Sequence, residues 1–240
     1  MVVAIDGPAG AGKSTVARRV AQRIGAVLLD SGAIYRALAL VAQRRAVTWQ
    51  DEPGLAALAR ELRLEFRGDG AEQRVVLADA AGGEDVSAAL RTPEISAGAS
   101  AVSRWPAVRE ALLVPQRAFA ERGAVVAEGR DTGTVVFPRA AVKIFLVANP
   151  AVRARRRTRE LCDAGHPVTE AEVLGEQQRR DEADSSRAAA PLRAAADAVR
   201  IDTSELTIDE VVQQIVALCA AAGVGLAAAR PSSATEVAEQ

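Results

Sequence analysis

The stretch "GPAGAGKS", residues 7–14, decides the fold of this protein. It fits the P-loop pattern G-x-x-x-x-G-K-[ST], in which an apolar strand precedes the loop and a helix follows it. Both neighbours are present, because "VVAID" at 2–6 is a short apolar run and apolar residues recur at helical spacing from Ser14 to Ile24. The stretch therefore predicts a strand, a phosphate-binding loop and a helix, in that order.

The residue types in this loop indicate how a phosphate chain is held. Glycines let backbone N–H groups turn inward, and the helix N-terminus adds the positive end of its dipole. Lys13 is placed to reach the β- and γ-phosphates of ATP, and the Ser14 hydroxyl to bind Mg²⁺. Only Lys13 and Lys143 among the 30 basic residues are lysine, so a lysine at position 13 points to a requirement for it. The predicted ATP-binding residues are Gly7, Pro8, Ala9, Gly10, Ala11, Gly12, Lys13, Ser14 and Thr15.

Four further apolar runs extend the predicted sheet. They lie at 27–29, 123–129, 142–148 and 198–202, and they are continuous rather than alternating. Continuous apolar strands are typical of a parallel sheet that helices cover on both faces. We therefore predict an α/β, P-loop NTPase-type three-layer fold with a five-stranded parallel sheet.

Two segments interrupt this core. Between about 62 and 100, "LRLEFRG", "EQRVVLAD" and "GEDVSAAL" look like short strands between Gly-rich turns, and they predict a small antiparallel insertion. Residues 150–190 are helical in pattern and rich in arginine, and the segment 223–240 is small and polar without periodicity, which predicts a disordered tail. The rest is predicted to form one domain, 1–222, whose core segments are 1–61, 101–149 and 191–222.

The composition argues against several classes of protein. With 49% apolar and 25% charged residues, the 240-residue chain can bury a large core. A net charge of −1 gives no reason to expect a nucleic-acid or membrane-surface binder, and no apolar run approaches the roughly 20 residues of a membrane span. The single histidine, His166, disfavours a Ser-His-Asp triad or a multi-histidine metal site. Cys162 and Cys219 are far apart and no secretory leader is visible, so we expect a cytoplasmic protein. We also expect it to be a monomer.

A P-loop identifies the phosphoryl donor and leaves the reaction open. A GTPase needs an Asn-Lys-x-Asp motif after a strand, and "VANP" at 147–150 lacks both the Lys and the Asp. A motor or AAA-type ATPase is normally longer and carries an acidic pair after its Walker B strand. The class that remains is a small-molecule kinase, whose acceptor site is built from inserted segments and arginines.

A second candidate site follows the strand that ends in "AEGRDTGTVVF", residues 127–137. Glu128 stands at the carboxyl end of this strand, where Walker B acids help to position Mg²⁺, usually through water. Arg130 and Asp131 follow in the crevice where open α/β sheets bind ligands. Gly129 and Gly133 bracket the pair and permit close approach of the backbone to a ligand.

Longer motifs make the chain similar to the bacterial cytidylate kinase family from about residue 2 to residue 218. They are "IDGPAGAGKST", "LLDSGAIYRALAL", "EDVSAALRTPEIS", "AEGRDTGTVVFP", "VKIFL" and "RRDEADSSRAAAPL". The resemblance implies a nucleoside-monophosphate kinase with an acceptor-binding insertion at about 62–100 and a mobile helical lid at about 150–168, followed by acceptor-contacting helix as far as about 190. It also implies that the protein phosphorylates CMP and dCMP to CDP and dCDP with ATP and Mg²⁺.

The resemblance assigns roles to individual residues. A monophosphate brings about two negative charges, which suit the planar, bidentate donors of arginine. The cytosine amino group suits a carboxylate acceptor, which uracil could not satisfy with its carbonyl. Within "RRDEADSSR" the chain departs from the expected pattern, because Ala183 and Ser186 replace polar or basic residues. The resemblance implies that the acceptor phosphate is bound by Arg36, Arg130 and Arg187, and that the base is bound by Ser100, Arg109 and Asp131. It implies that the pentose is bound by Arg180 and Asp184, and that Ser31 belongs to the turn at the acceptor site. The lid residue Arg157 is implied to contact the transferred phosphate.

Two alternatives stay open from the sequence. A P-loop kinase of another acceptor, such as UMP, AMP or shikimate, would keep the loop but have no reason for the base-reading set Ser100, Arg109 and Asp131. A non-catalytic regulator that binds ATP would use the insertion to bind a protein, and it would show no acceptor-dependent release of ADP.

Overall fold

The computed structural model describes residues 1–68, 73–78 and 82–224. Its strands are β1 (Val2–Asp6), β2 (Val27–Asp30), β3 (Leu64–Arg67), β4 (Arg74–Leu77), β5 (Glu84–Asp85), β6 (Val125–Gly129), β7 (Val142–Val147) and β8 (Val199–Asp202). Its α-helices are α1 (Lys13–Ile24), α2 (Ser31–Arg44), α3 (Glu52–Glu61), α4 (Pro93–Val102), α5 (Pro106–Ala118), α6 (Pro150–Asp163), α7 (Glu170–Ser186) and α8 (Ile208–Ala221).

The central sheet has five parallel strands in the order β2-β6-β1-β7-β8, which confirms the sheet predicted from the apolar runs. Every residue of β6 is buried, as expected for a strand covered on both faces. The register places Asp30 opposite Glu128 and Asp6 opposite Gly129. The carboxyl ends of β2, β6 and β1 therefore lie side by side, and the motifs that follow these strands meet at one edge of the sheet.

Helices cover both faces of the sheet, which confirms the three-layer architecture. Val126 and Ala127 are neighbours in β6 but belong to different hydrophobic clusters, because successive strand side chains point to opposite faces. One cluster contains Leu38 of α2 and Leu112 of α5, and the other contains Ile215 of α8. Each fully buried aliphatic side chain of this size contributes roughly 1.5–3 kcal/mol relative to an exposed one.

The antiparallel insertion is present as a three-stranded sheet in the order β3-β4-β5, as predicted. Among the described residues, the third strand spans Glu84–Asp85 and is much shorter than the pattern "GEDVSAAL" suggests, although the N–H of Val86 still donates to the carbonyl oxygen of Val75 in β4 at 2.9 Å. The chain is helical soon afterwards: Pro93 begins α4, and the Thr92 side chain accepts from the N–H of Ile95 at 3.3 Å. α4 packs its apolar residues into the same cluster as α2, so it lines the cavity described below from the side of the core.

The arginine-rich region forms α6 and α7, which pack on each other through a small cluster of Ala154, Leu161 and Val173. At the C-terminus, Val224 is buried against the α1–α8 side of the core, so the packed chain extends at least to Val224. The remainder of the predicted tail, residues 225–240, lies outside the described residues. Within the described ranges, no helix is long and apolar enough to cross a membrane.

Lys143, the second of the two lysines, has a structural partner. Its Nζ donates to the carbonyl oxygen of Pro138 at 2.6 Å and to the Asp197 carboxylate at 2.8 Å. The lysine side chain is buried, whereas Asp197 is exposed. The pair ties β7 to the segment that leads into β8.

Candidate active site

A cavity of about 660 Å³ opens at the carboxyl ends of β1, β2 and β6. The P-loop and α2 form one side, α4 and α5 another, and the loop after β6 meets α6 and α7 across it. All nine residues predicted to bind the acceptor line this cavity, together with Lys13, Ser14, Glu128 and Arg157. The parallel strand order is what collects them, because loops at the carboxyl ends of adjacent parallel strands open on the same edge.

The P-loop has the backbone that its glycines predict. Gly12 adopts φ 86 as the residue before α1, and Gly7 adopts φ 150. A Cβ at Gly7 would lie 2.2 Å from the carbonyl oxygen of Leu146, so no side chain fits there. Lys13 is buried, and its Nζ donates to the carbonyl oxygen of Pro8 at 2.8 Å. Burial and the charge of Arg130 hold the pKa of Lys13 below its usual value.

The helix of the P-loop is also braced from the region of α6 and α7. Arg153 of α6 donates from Nη1 to the carbonyl oxygen of Ala9 at 2.9 Å and pairs with Asp181 of α7 at 2.6 Å. Gly10 adopts φ 75, and a Cβ there would lie 2.8 Å from Nε2 of Gln177. No local pattern separates Arg153 from the other arginines of "RARRRTR", residues 153–159. Its burial against the loop is a result of tertiary packing.

Glu128 ends β6 beside the P-loop and lies in register with Asp30 of β2. Its backbone carbonyl accepts from the Ser31 hydroxyl at 2.7 Å, while its Oε1 is buried without a hydrogen-bond partner among the described residues. Burial, and then the charge of Asp30, raise the pKa of Glu128, and Lys13 opposes this. A buried carboxylate oxygen without a partner beside the Ser14 hydroxyl fits a divalent cation held through water.

Four of the arginines that line the cavity come from α2, the loop after β6 and the C-terminal part of α7. Arg36 of α2 pairs with Asp30 at 2.7 Å, and Arg130 of the loop after β6 pairs with Asp184 of α7 at 3.0 Å. Burial and the charge of Arg130 lower the pKa of Arg180 to about 10, and burial lowers that of Arg187. Nε of Arg180 and Nη2 of Arg187 are buried without a hydrogen-bond partner among the described residues. Crowded cations with unused donors are suited to an anion of more than one charge.

A buried ion pair between Arg109 and Asp131 stands at another wall of the cavity. Their side chains are only 8% and 7% exposed, so solvent screens the pair little. Arg109 also donates from Nη1 to the carbonyl oxygen of Ser103 at 3.1 Å, and its guanidinium lies 5.3 Å from the centre of the Tyr35 ring. Ser100 lines the cavity one turn before Ser103. The pair places a carboxylate, which accepts hydrogen bonds, beside a guanidinium, which donates them. This arrangement is suited to the polar edge of a planar ring.

The predicted lid carries five arginines in "RARRRTR", residues 153–159, and of these only Arg157 lines the cavity. It is 37% exposed and contacts Glu160 of its own helix at 3.1 Å. Arg155 lies 3.6 Å from Glu170, and Arg156 donates to Thr203 at 2.7 Å. The position of Arg157 is compatible with the role predicted for it, and that role stays a prediction.

The sequence did not single out three residues that organise the site. Tyr35 supports Arg109 through its ring, and Ser103 accepts from Arg109 through its carbonyl while its hydroxyl accepts from Arg187 at 3.4 Å. Asp6, at the end of β1, is buried and bonds the backbone of the loop after β6. Except for the bond between Arg109 and Ser103, which are six residues apart, these contacts join segments that lie far apart in the chain, so local patterns carry no signal for them.

Comparison with known proteins shows which family the chain resembles. The family model described as cytidylate kinase matches residues 3–221. A cytidylate kinase of Methylococcus capsulatus is 52% identical over 212 residues, which cover 88% of this chain and 93% of that protein. One of Azotobacter vinelandii is 48% identical over 223 residues, which cover 92% and 96%.

The similarity to solved structures is weaker than the similarity to these sequence relatives. A shikimate kinase from Bacteroides thetaiotaomicron aligns at 16% identity over 92% of this chain and 98% of that chain, with a TM-score of 0.42. With so low a TM-score, this similarity says nothing about which acceptor the chain binds. The family model and the two relatives, in contrast, extend over nearly the whole chain, and this chain therefore belongs to the cytidylate kinase family.

Proposed function

We propose that this phosphotransferase moves the γ-phosphoryl group of ATP to CMP or dCMP, giving ADP and CDP or dCDP. The observation that carries the proposal is the shared cavity. It places a P-loop opposite a cluster of arginines, with a buried Arg109–Asp131 pair at its wall. The three parts match the three parts of the reaction: the donor triphosphate, the acceptor phosphate and the acceptor base.

The donor half rests on the P-loop. Its inward N–H groups and the N-terminus of α1 bind the phosphate chain, and Lys13 supplies a buried positive charge. The Nζ of Lys13 donates to the carbonyl oxygen of Pro8 at 2.8 Å, which keeps the ammonium at the phosphate-binding loop. The low pKa of Lys13 reflects burial among cations, and a phosphate beside it favours the charged form.

Ser14 and Glu128 are the residues that would hold Mg²⁺ with the phosphates of ATP. When bound, the cation neutralises charge on the phosphates and orients them. The Ser14 hydroxyl offers a direct ligand, and the unpartnered Oε1 of Glu128 offers an acceptor for a bound water. Ser31 fixes the end of β6 by donating to the backbone carbonyl of Glu128.

The acceptor phosphate is held by arginines from both sides of the cavity. Arg36 approaches from α2, Arg130 from the loop after β6 and Arg187 from the end of α7. No general base is required, because a phosphate monoester with a second pKa of about 6 is already anionic near pH 7. The protein therefore works by positioning the two phosphates and by neutralising their charge. Arg157 of α6 would add charge to the transferred group and help to exclude water.

The Arg109–Asp131 pair explains a preference for cytosine. Asp131 accepts from the amino group of the base, and Arg109 and Ser100 donate to its ring acceptors. With UMP, the carboxylate would face a carbonyl oxygen, so a hydrogen bond is lost and two acceptors oppose each other. Arg180 and Asp184 lie beside this pair and are suited to the pentose hydroxyls.

An acceptor panel tests the proposal. ADP formation is measured with CMP, dCMP, UMP, AMP and shikimate at equal concentrations, with ATP and Mg²⁺ present. We expect the cytidine nucleotides to be the best acceptors. A better rate with UMP, AMP or shikimate would move the protein to another acceptor class, and ATP binding without turnover on any acceptor would support the regulator. The monomeric state stays a prediction, which light scattering on the full chain checks.

A further inference from the structure

Asp6 does not line the cavity, but its carboxylate accepts hydrogen bonds from the backbone of the loop that carries Arg130 and Asp131. It is the last residue of β1 and is followed at once by Gly7, the first residue of the P-loop. The side chain is only 4% exposed. Its Oδ1 accepts from the N–H of Thr132 at 2.8 Å, and its Oδ2 accepts from the N–H of Gly133 at 2.7 Å.

These two N–H groups begin a single π-helical turn over Thr132–Val136. Within the turn, the N–H of Val135 donates back to the carbonyl oxygen of Asp131 at 2.8 Å, which closes the turn on the residue that precedes it. The first N–H groups of such a turn have no partner within it, and Asp6 satisfies both from another strand. Ideal Cβ geometry at Gly133 would bring a methyl group to 3.4 Å from Oδ2, so the carboxylate and the turn are in close contact.

We propose that Asp6 is a positioning residue for acceptor selection, which holds the turn so that Asp131 meets Arg109 and the acceptor base in one fixed orientation. The inference rests on the proposed function. Asp131 directly precedes this turn as its N-cap residue, with φ −139 and ψ 19, so the position of its Cα and Cβ follows that of the turn. If the turn rotates, the carboxylate rotates with it, and Arg109 loses its partner. Asp6 is also the residue that precedes Gly7 of the P-loop. Its side-chain hydrogen bonds therefore connect the P-loop with the loop after β6 that carries Asp131.

The energetics favour a carboxylate at this position only with both donors in place. A buried charge is costly unless hydrogen bonds compensate, and two short bonds from backbone N–H groups are the compensation here. Burial raises the pKa of Asp6, while the N–H groups of Gly133 and Thr132 oppose this. A carboxamide at position 6 keeps one oxygen acceptor and turns an NH₂ group toward the other N–H, so one of the two bonds is lost.

The test compares Asp6→Asn and Asp6→Ser with the matched control Asp197→Asn. The control breaks the ion pair of Lys143, whose side-chain carbons lie 3.4 Å from the position of a Gly133 Cβ, and leaves both N–H bonds of the turn intact. The kcat/KM values for CMP and UMP, the KM for ATP and the melting temperature are measured for each variant.

We expect both Asp6 variants to lower the ratio of kcat/KM for CMP over UMP about tenfold, the effect of one charge-assisted hydrogen bond, with the KM for ATP changed less than about twofold. We expect Asp197→Asn to lower the melting temperature without changing the ratio. An unchanged ratio in the Asp6 variants would overturn the inference, and so would failure of both to fold while the control folds, since Asp6 would then serve the fold alone. If the unaltered chain itself shows no cytidine preference, it is the proposed function that fails.

Discussion

Asp30 and Arg36 form an ion pair of 2.7 Å at the mouth of the acceptor cavity, and the same carboxylate begins the helix that carries the arginine. Oδ1 of Asp30 accepts from the N–H of Ala33 at 2.9 Å, and Oδ2 holds Nη2 of Arg36. The guanidinium is thus oriented before any ligand arrives, with other N–H groups left for a phosphate. Holding a donor in place lowers the entropy that binding must remove.

Replacing Arg36 by alanine should weaken the acceptor complex and leave ATP binding nearly unchanged. Loss of a charge-assisted bond to the phosphate is expected to cost about 1.5–3 kcal/mol in kcat/KM for CMP. Steady-state kinetics with CMP and ATP varied in turn measure this. Unchanged KM and kcat for CMP would show that Arg36 serves only as the partner of Asp30.

Replacing Gly32 by alanine should disturb the orientation of Arg36 by steric contact. A Cβ at Gly32 would lie 3.0 Å from Nη1 of Arg36 and 3.1 Å from Oδ1 of Asp30. Gly32 lies within α2 at a helical backbone, so alanine suits the helix while it displaces the guanidinium. We expect the KM for CMP to rise about threefold to tenfold, on the order of 1 kcal/mol, with the melting temperature preserved. A large loss of stability instead would indicate that the helix cap, not the arginine, has been disturbed.

Replacing Asp131 by asparagine should erode the selection of CMP over UMP more than the affinity for ATP. The amide oxygen can still accept from Arg109, and its NH₂ group can donate to the carbonyl of uracil. The ratio of kcat/KM for CMP over UMP is expected to fall about tenfold or more. Asp197→Asn supplies a control of equal charge change. A rise in the KM for ATP with an unaltered ratio would contradict the role given to Asp131.

Replacing Arg157 by alanine should slow the transfer step. A lid arginine that stabilises charge on the transferred group is expected to contribute about tenfold to a hundredfold to kcat. Arg159→Ala is the matched control, because Arg159 is exposed on the same helix and does not line the cavity. Single-turnover measurements separate transfer from product release. Equal kcat values for the two variants would remove Arg157 from the reaction.

The Asp184 carboxylate should make stability depend on pH in the acid range. Burial acts to raise the pKa of Asp184, but the charges of Arg130, Arg187 and Arg180 outweigh it and lower the pKa below the ordinary value. A depressed folded-state pKa stabilises the fold above the unfolded-state pKa of about 4, and this contribution is lost as the pH falls through the folded-state value.

Asp184→Asn should therefore be less stable than the parent at pH 7, by about 1.5–3 kcal/mol, and the gap should narrow on acidification below about pH 4. Urea unfolding of both proteins across this range measures the difference. A gap that is constant with pH would show that the loss comes from packing and not from the charge.

The fold class and the donor site follow from local sequence patterns alone. The glycines of residues 7–14 allow one kind of backbone around a phosphate, and the apolar runs allow one kind of sheet, because both follow from local sterics and from burial on two faces. The resemblance to a known family supplied the acceptor residues, and these do line one cavity. The third strand of the insertion was predicted, but among the described residues it spans only Glu84–Asp85 and is shorter than its sequence pattern indicates.

The tertiary structure alone decided which charges meet. Asp6 reaches Thr132 and Gly133, Arg153 reaches Ala9, and Arg109 reaches Asp131, because the strand order β2-β6-β1 places loops from distant parts of the chain at one edge of the sheet. Nothing in a window of neighbouring residues encodes these pairings, since each is set by which strands are adjacent and by burial that excludes water. In a chain whose cations are nearly all arginine, position and not residue type separates the arginines that line the cavity from those that brace its walls.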